Sequence, residues 1–486
     1  MKQSILYTTF LLFALFGCDL FAQTTSTDYF VPTSQTRSAM NPAFRPKQGY
    51  IGVPFLSNIY IGAETNTANL EHFTFTKGGE LVTFLHPEVG VNEFLSGLDD
   101  NNYISATMAY KLLSAGFYSG NDKFWTIDVG LRTDLGMNAP KDMFAFLKKG
   151  FSANEDNYNN GPIKYNLKDL NGSATVFSEI AVGHSRPLLD NALLVGAKAK
   201  MLLGIGNFDL NVDNLEVAST PDQWTVRGKA TLQGSFPGLV ADYDEDGDFD
   251  SFDIDGFGLA GFGLGFDLGA VYDLGHLSDK IDVENEKLSE IMKKAKISMA
   301  FTDIGFISWN KNSTVKFETD VIDKTLPNKD YNDGDSFYDR MDDMITDFEN
   351  ILDLKEENER KSGRTTALST NMNIGLEYEF WEKNMTAGLL SSTRFGKYKT
   401  VSELTLSANY NPNRGWFASS FSYSFVRSQF KTFGLAVHLA PSKGMNFFLA
   451  SDYIIPHTNS TFIPTTMKGI NFQFGLTIPM GAVRNN

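Results

Sequence analysis

Apolar and polar residues alternate with a period of two along much of the C-terminal third of the chain. Between 368 and 381, one face carries mainly apolar residues such as Met372, Ile374 and Leu376, whereas the other carries Ser, Asn, Gly and Glu. The stretches 416–425, 433–440 and 470–478 repeat this alternation. Because successive side chains of a strand point to opposite faces, the pattern predicts β-strands with one apolar and one polar face.

Two architectures produce such strands: a soluble sandwich with the apolar faces inward, or a membrane barrel with the apolar faces toward lipid. Several stretches exceed ten residues, which is longer than the usual strand of about 5–6 residues and long enough to cross a bilayer at a tilt. Their polar faces are rich in Gly, Ser, Asn and Gln, and aromatic residues such as Tyr410 and Trp416 stand at strand ends. The chain is therefore predicted to be all-β and to form a transmembrane antiparallel β-barrel. Its outer surface is expected to contact outer-membrane lipid.

Similar alternation extends toward the N-terminus. The additional strands are expected near 49–64, 102–118, 123–137, 172–186, 191–208, 257–273, 296–309, 312–320, 384–396 and 400–410. Bacterial single-chain barrels have an even number of strands. The count gives about 14 strands, with 12 or 16 as the alternatives.

Small helices are expected in the loops. Within residues 335–361, apolar residues including Met341, Ile345 and Phe348 recur at helical spacing among acidic and basic residues, which predicts a helical insert on the extracellular side. Shorter helices are expected at 90–98, 140–149 and 283–295.

The N-terminus has the layout of a secretory signal peptide. Lys2 precedes an apolar core from Ile5 to Phe16, and cleavage is expected after Ala22, so that residues 1–22 are removed. A lipoprotein signal with Cys18 lipidated is the alternative interpretation. With the barrel pattern, this segment predicts export to the outer membrane of a Gram-negative-type cell. The mature chain is then divided into an N-terminal segment, 23–48, which is a candidate lumen plug, and a barrel, 49–486.

The composition argues against several classes of function. The 486 residues include 58 Asp or Glu and 42 Lys or Arg, for a net charge of -16, which argues against binding to nucleic acid. The single Cys lies in the predicted signal peptide, which excludes a disulfide or a thiol nucleophile in the mature chain. The six His residues are scattered without metal-ligand spacing. The sequence therefore predicts that the protein is not an enzyme. It predicts no cofactor other than a possible calcium ion.

An acidic run at 242–253 has the spacing of a calcium loop. Carboxylates at alternate positions can converge on a cation, and Gly247 permits a sharp turn between them. The candidate ligands are Asp242, Asp244, Asp246, Asp248, Asp250 and Asp253. The alternative is a solvated acidic hairpin loop.

Charged residues also occur on the predicted polar faces. If Trp125, Ile127 and Val129 face lipid, their alternating neighbours point into the lumen. The predicted lumen charges are Asp128, Arg132, Asp134, Glu179, Lys198, Lys200, Asp267, Glu377 and Glu379. Because both signs occur, a network of ion pairs is expected. In the alternative interpretation, Arg132, Lys198 and Lys200 receive the carboxylate of a ligand.

Several short stretches resemble known barrel families. The segment containing Asn41, Pro42 and Ala43 resembles the N-terminal Asn-Pro-Ala element of long-chain fatty-acid transporter (FadL-like) barrels, and also the barrel component of the type nine secretion machinery. With 179–185, 196–198 and 303–309, it resembles an uncharacterised outer-membrane barrel family of unknown function. The resemblance implies a surface barrel without a cofactor, in which the N-terminal segment plugs the lumen.

The sequence favours a passive uptake channel for small hydrophobic or amphipathic molecules. The alternative is a plugged scaffold barrel that presents extracellular loops to a protein partner. A transporter needs a pocket that can be reached from outside, whereas a scaffold can have a lumen closed by ion pairs.

Overall fold

The computed structural model describes residues 25–66, 70–84, 86, 88–120, 122–149, 162–243, 249–254, 256, 258–280, 285–327, 359–381, 384–397, 400–412, 416–426, 430–440, 444–454 and 469–484. The predicted signal peptide and most of the predicted helix at 335–361 lie outside these residues. Of that predicted helix, Glu359 and Arg360 form a short strand.

Most of the described chain is β-strand. In chain order, the strands are β1 (Gly49–Gly52), β2 (Asn58–Thr65), β3 (Thr74–Lys77), β4 (Glu80–Thr83), β5 (Asn101–Ser119), β6 (Lys123–Pro140), β7 (Ile163–Asn166), β8 (Asn171–Leu188), β9 (Leu193–Ser219), β10 (Gln223–Ser235), β11 (Leu239–Tyr243), β12 (Phe249–Ile254), β13 (Gly261–Asp273), β14 (Ala295–Trp309), β15 (Thr314–Pro327), β16 (Glu359–Arg360), β17 (Arg364–Ala367), β18 (Thr370–Phe380), β19 (Met385–Phe395), β20 (Thr400–Tyr410), β21 (Phe417–Val426), β22 (Phe430–Leu439), β23 (Asn446–Ser451) and β24 (Gly469–Met480).

Fourteen antiparallel strands form a closed wall, which confirms the predicted class and strand number. β1 and β2 together count as one wall strand, and so do β17 and β18. The order around the wall is β1–β2, β5, β6, β8, β9, β13, β14, β17–β18, and then β19 to β24 in sequence. The barrel closes because β24 pairs with β1 through Gly49↔Met480 and with β2 through Ile61↔Phe472. The described helices are Leu70–Phe73, Val91–Leu95, Lys141–Lys149, Leu274–Lys280 and Glu286–Met292, with 3-10 turns at Ser26–Asp28, Thr36–Ala39 and Lys311–Ser313.

The exterior of the wall is apolar and its interior is polar. Outward side chains such as Ile127, Leu264 and Leu406 are 45%, 43% and 47% exposed. Their inward neighbours, such as Asp128, Asn409 and Thr405, are buried. An apolar outer surface around a polar interior is the arrangement of a barrel that faces lipid. Within the described residues, no helix is long and apolar enough to cross a membrane.

The two ends of the barrel differ. One end carries Gly49 and Met480 together with close turns, such as the connection from Ser119 to Lys123. The opposite end carries the long connections, including the one between Trp309 and Arg364. Short periplasmic turns and long extracellular loops are typical of outer-membrane barrels. The first end is therefore called the turn end, and the second is called the loop end.

A small cap extends the wall at the loop end. The second half of β9 continues beyond the barrel and pairs with β7 and β10, and β10 pairs in turn with β15. Helices Val91–Leu95 and Lys141–Lys149 contribute Phe94 and Phe144 to its core. That core also contains Trp224 and Phe317, both of which are buried.

Two assignments of individual strands were wrong, although the total was right. The stretch 312–320 lies in β15, which belongs to the cap and not to the barrel wall. The missed wall strand is β23, where Phe447 and Phe448 are adjacent. Phe448 points inward and is 1% exposed beside Gly475, so the strand carries large apolar residues on both faces and shows no alternation.

We expect Leu406→Lys to destabilise the folded barrel in phospholipid vesicles by about 2–4 kcal/mol, because a charge near the middle of a lipid-facing strand loses its hydration. Equilibrium unfolding in urea measures this cost. Leu288→Lys is the matched control, since Leu288 is 48% exposed but lies on a helix outside the wall. Equal costs for the two variants would contradict a lipid-facing exterior.

Candidate functional site

Charged side chains fill one half of the barrel interior, along β5 to β14. At the centre, Arg132 Nη1 lies 2.9 Å from Asp303 Oδ1 and 3.3 Å from Glu179 Oε2. Arg132 Nη2 lies 3.5 Å from Asp134 Oδ2. Lys200 Nζ reaches the same Asp303 oxygen at 2.6 Å. One buried carboxylate therefore joins two cations from different strands.

Three further sets of ion pairs complete this cluster. Lys200 Nζ also lies 2.8 Å from Asp267 Oδ1. Asp128 is held by Lys111 and by Lys198, each at 3.1 Å. On the opposite wall, Arg394 of β19 crosses the lumen and pairs with Asp134 at 3.0 Å. The lumen ion-pair cluster is defined as Lys111, Asp128, Arg132, Asp134, Glu179, Lys198, Lys200, Asp267, Asp303 and Arg394.

Charge in the cluster is balanced. It contains five cations, Lys111, Arg132, Lys198, Lys200 and Arg394, and five carboxylates, Asp128, Asp134, Glu179, Asp267 and Asp303. Buried charges are tolerated only when they are paired and hydrogen-bonded, because desolvation otherwise costs several kcal/mol per ion. Each of the three cations considered as ligand receptors, Arg132, Lys198 and Lys200, already contacts a protein carboxylate.

Seven of the nine predicted lumen charges belong to this cluster, and the other two lie elsewhere. Glu379 pairs with Lys296 at 2.8 Å near the turn end of β14 and β18. Glu377 interacts electrostatically with Arg37 of the N-terminal segment.

Asp303, which alternation alone did not identify, occupies a β-bulge. Asp303 has a φ of 60°, and Asp267 of β13 faces both Thr302 and Asp303, so that both residues point inward. When two residues of one strand lie opposite a single residue of its partner, the inward and outward alternation shifts by one position. The sequence carries this signal, because the apolar positions 297, 299 and 301 are followed by 304 and 306. Lys111 was missed for a similar reason, since the register of β5 shifts between Lys111 and Leu113.

The other half of the interior holds the N-terminal segment, residues 25–48. Tyr29 Oη lies 3.0 Å from Ser298 Oγ of β14. Asn373 Nδ2 of β18 donates to the Met40 carbonyl at 3.0 Å. Thr25 N donates to Gln473 Oε1 of β24 at 2.9 Å. Because these bonds join the segment to several separate strands, the segment lies across the interior.

The Asn-Pro-Ala element forms a turn that fits against the wall near the turn end. Ala43 N donates to Asn41 Oδ1 at 2.9 Å, and Phe44 N donates to the Asn41 carbonyl at 3.1 Å. Pro42 suits such a turn because its ring fixes φ. Ser185 Oγ of β8 donates to the Ala43 carbonyl at 2.9 Å. The motifs at 41–46 and 179–185 therefore meet in space.

Glycines in the wall make room for the segment. A Cβ at Gly196 would lie 2.1 Å from the Pro42 carbonyl oxygen, and one at Gly269 would lie 2.1 Å from Asn41 Oδ1. A Cβ at Gly434 would lie 2.1 Å from Thr27 Oγ1. Real Cβ atoms do not approach other atoms this closely, so these three positions are shaped to the segment.

Aromatic and charged contacts fold the segment on itself. Tyr29 packs edge-to-face on Phe30 and Phe44, with ring centroids 4.9 and 5.0 Å apart. The Arg37 guanidinium lies 3.8 Å from the centre of the Phe44 ring, and Arg37 Nε donates to the Tyr29 carbonyl. Burial raises the pKa of Asp28 to about 6, although hydrogen bonds from Ser34 and Thr36 oppose the shift.

A cavity lies in the interior at the loop end. The space within it that a water-sized molecule can occupy is about 70 Å³. Its lining combines the apolar residues Leu368 and Val401 with the cations Arg394 and Lys397. Asp134 and Asp209 lie in the same lining and pair with these cations. The cavity is therefore amphipathic, and its charges are paired.

The candidate calcium loop is described only in part. Asp242, Asp250 and Asp253 lie on the hairpin of β11 and β12, in which Asp242 pairs with Ser251. Asp244, Asp246 and Asp248 lie outside the described residues. Calcium binding therefore stays a prediction.

A closed fourteen-stranded barrel with an apolar exterior, a polar interior and loops concentrated at one end is an outer-membrane β-barrel. Within that class, the chain belongs to the family of unknown function DUF5723, whose model matches residues 42–452. This match confirms the resemblance to an uncharacterised barrel family.

Comparison with other proteins gives distant likenesses. No curated protein sequence matches the chain. Among solved structures, the ΔS2S3 mutant of the monoaromatic hydrocarbon channel TodX is 9% identical, with 94% of each chain covered and a TM-score of 0.34. The translocator domain of the autotransporter NalP from Neisseria meningitidis is 8% identical, with 90% of each chain covered and a TM-score of 0.28. The function is therefore argued from the geometry of this chain.

We expect Asp303→Ala to destabilise the barrel by about 3–5 kcal/mol, because it removes a carboxylate that two buried cations share. Urea unfolding of the protein in detergent measures the change. Glu216→Ala is the matched control, because it breaks an exposed ion pair with Lys164 at 3.1 Å, and such pairs contribute about 1 kcal/mol or less. A cost at Asp303 no larger than the control's would contradict a structural role for the cluster.

Proposed function

We propose that this protein is a passive outer-membrane channel for small amphipathic molecules and that it is closed at rest by its N-terminal segment. The observation that carries the proposal is the amphipathic cavity at the loop end, beyond the contacts of the segment with the strands. Leu368 and Val401 suit an apolar body, and the paired charges around Arg394 suit a polar group.

The closed state has two components. The lumen ion-pair cluster fills the side formed by β5 to β14, and the N-terminal segment fills much of the remaining interior. The cluster is covalently part of the wall, whereas the segment is held by non-covalent contacts up to its junction with β1. Opening would therefore begin with the segment, and the ion pairs would keep the wall in shape.

An exit through the wall is favoured between β2 and β5. The two residue pairs between β2 and β5, Asn58↔Lys111 and Thr65↔Ile104, belong to one common register. The residues between these two pairs form no ladder pairs with each other. On its other side, β2 pairs with β24 continuously from Ile59 to Glu64. Ser105 of β5 lines the cavity beside this interval. A molecule leaving the cavity there would reach lipid without crossing the whole lumen.

A scaffold barrel is the second candidate. The cap favours it, because a sheet with its own buried core, including Trp224 and Phe317, is an ordered surface that the loop end could present to a protein. In this case no solute would cross the barrel.

In a chain that lacks residues 25–36, we expect the variant Ile61→Cys with Met108→Cys to lose transport of an amphipathic solute into liposomes when it is oxidised and to regain transport when it is reduced. These residues are opposite each other in the register defined by the two paired ends of β2 and β5. The predicted mature chain contains no other cysteine. A fluorescent short-chain alkyl carboxylate measures the flux.

The matched control is Leu406→Cys with Tyr423→Cys, which joins two strands at a directly paired position. Its oxidation should leave the flux unchanged. Equal flux through both oxidised variants would contradict the wall exit. If neither the full-length protein nor a chain that lacks residues 25–36 gives flux above empty liposomes, the channel proposal fails and the scaffold is favoured.

A further inference from the structure

The first described residues of the N-terminal segment are held by one carboxylate. Asp452 Oδ2 accepts a hydrogen bond from Ser26 N at 2.9 Å, and Oδ1 accepts from Thr27 N at 2.8 Å and Thr27 Oγ1 at 2.6 Å. Asn471 Nδ2 donates to Oδ2 at 2.7 Å. Asp452 is 3% exposed. Residues 25–27 are called the tip of the segment.

These bonds satisfy groups that the tip cannot satisfy by itself. Ser26 and Thr27 begin a 3-10 turn, and the first N–H groups of a helical turn have no partner within it. A carboxylate that accepts such N–H groups makes charge-assisted bonds, which are stronger than neutral ones. Around Asp452, the tip also bonds Gln473 and Ser422.

Asp452 lies where the wall passes into a loop-end connection. It directly follows β23, and its own N–H donates to Asn471 Oδ1 of β24 at 2.6 Å. Thr432 Oγ1 of β22 donates to its carbonyl at 2.9 Å. The carboxylate that holds the tip therefore belongs to the base of the connection between β23 and β24, and three strands fix its position.

The second half of the segment is anchored independently. Met40 and Ala43 accept hydrogen bonds from Asn373 and Ser185, and Asn41 donates to the Ala270 carbonyl at 3.3 Å. None of these bonds involves Asp452. The tip can therefore detach while the Asn-Pro-Ala turn stays in place.

We propose that Asp452 is the positioning residue that keeps the tip seated and that release of the tip from Asp452 is the first step in opening the lumen. The step rests on the proposed channel function, but the seating of the tip can be measured without any transport. Because the carboxylate belongs to the base of a loop-end connection, a change at that end of the barrel can reach the segment through one residue.

The test measures the reaction of single cysteines with a membrane-impermeant maleimide in the folded barrel. Thr25→Cys reports on the tip and Ser38→Cys on the second half, since Thr25 and Ser38 are 0% and 4% exposed. Asp452→Asn replaces one acceptor oxygen with an NH₂ donor that faces an N–H group. We expect it to raise labelling at position 25 at least about tenfold, because a hydrogen bond to a charged group contributes that much. Labelling at position 38 should stay unchanged.

Two further variants make the result specific. Gly434→Ala should raise labelling at position 25 by a steric route, since its Cβ would meet Thr27 Oγ1, and it leaves Asp452 intact. Asp209→Asn removes a different lumen carboxylate, one that pairs with Arg364 at 2.8 Å, and should change neither reporter. Heat-modifiable migration on gels verifies that each variant is folded.

The outcomes are distinct. If Asp452→Asn leaves position 25 protected, or raises labelling at positions 25 and 38 together, Asp452 is not a selective anchor and the inference is overturned. If position 25 alone becomes reactive and liposome flux rises, both proposals are supported. If position 25 alone becomes reactive and no flux appears in any variant, the anchor stands and the channel function falls.

Discussion

Charge buried inside a lipid-embedded barrel must be neutralised there, and the structure depends on how this requirement is met. Asp303 lies between Arg132 and Lys200, at 2.9 and 2.6 Å, on a bulge that turns an otherwise outward position inward. Because a lone charge in this position would cost several kcal/mol, the strands that carry the partners have little freedom to shift register. Arg394 extends the same constraint across the lumen to Asp134.

The remaining interior follows a different rule. On the side of β18 to β24, the wall presents neutral polar side chains, glycines and the carboxylates Glu377 and Asp452, and the N-terminal segment fills the space through hydrogen bonds, charge and aromatic packing. Gly434 of β22 leaves room for the segment on this side, and Gly196 of β9 and Gly269 of β13 do so on the other. The interior thus combines an ion-pair cluster that belongs to the wall with a segment that is held by non-covalent contacts. This division is the physical basis of the proposed channel.

The sequence predicted those features that depend on alternation. Thirteen of the fourteen wall strands, a polar lumen and the face of Arg132 follow from period two, because every residue of a regular strand obeys it. Prediction failed where the period breaks. Asp303 and Lys111 lie at bulges, β23 carries Phe447 and Phe448 side by side, and β15 has strand character but belongs to the cap. Asp452 follows the end of β23, where alternation carries no information. Its role depends on contacts with Ser26 and Thr27, more than 400 positions away in sequence.

The central claim is that the N-terminal segment closes a lumen that is otherwise passable. Conductance across a planar bilayer tests it most directly, with the full-length protein compared with a chain that lacks residues 25–36 and retains the Asn-Pro-Ala turn. The account predicts a closed full-length barrel and a steady, ohmic conductance after the deletion. A deleted chain that folds but stays closed would contradict it, because the wall and its ion pairs would then close the lumen without the segment.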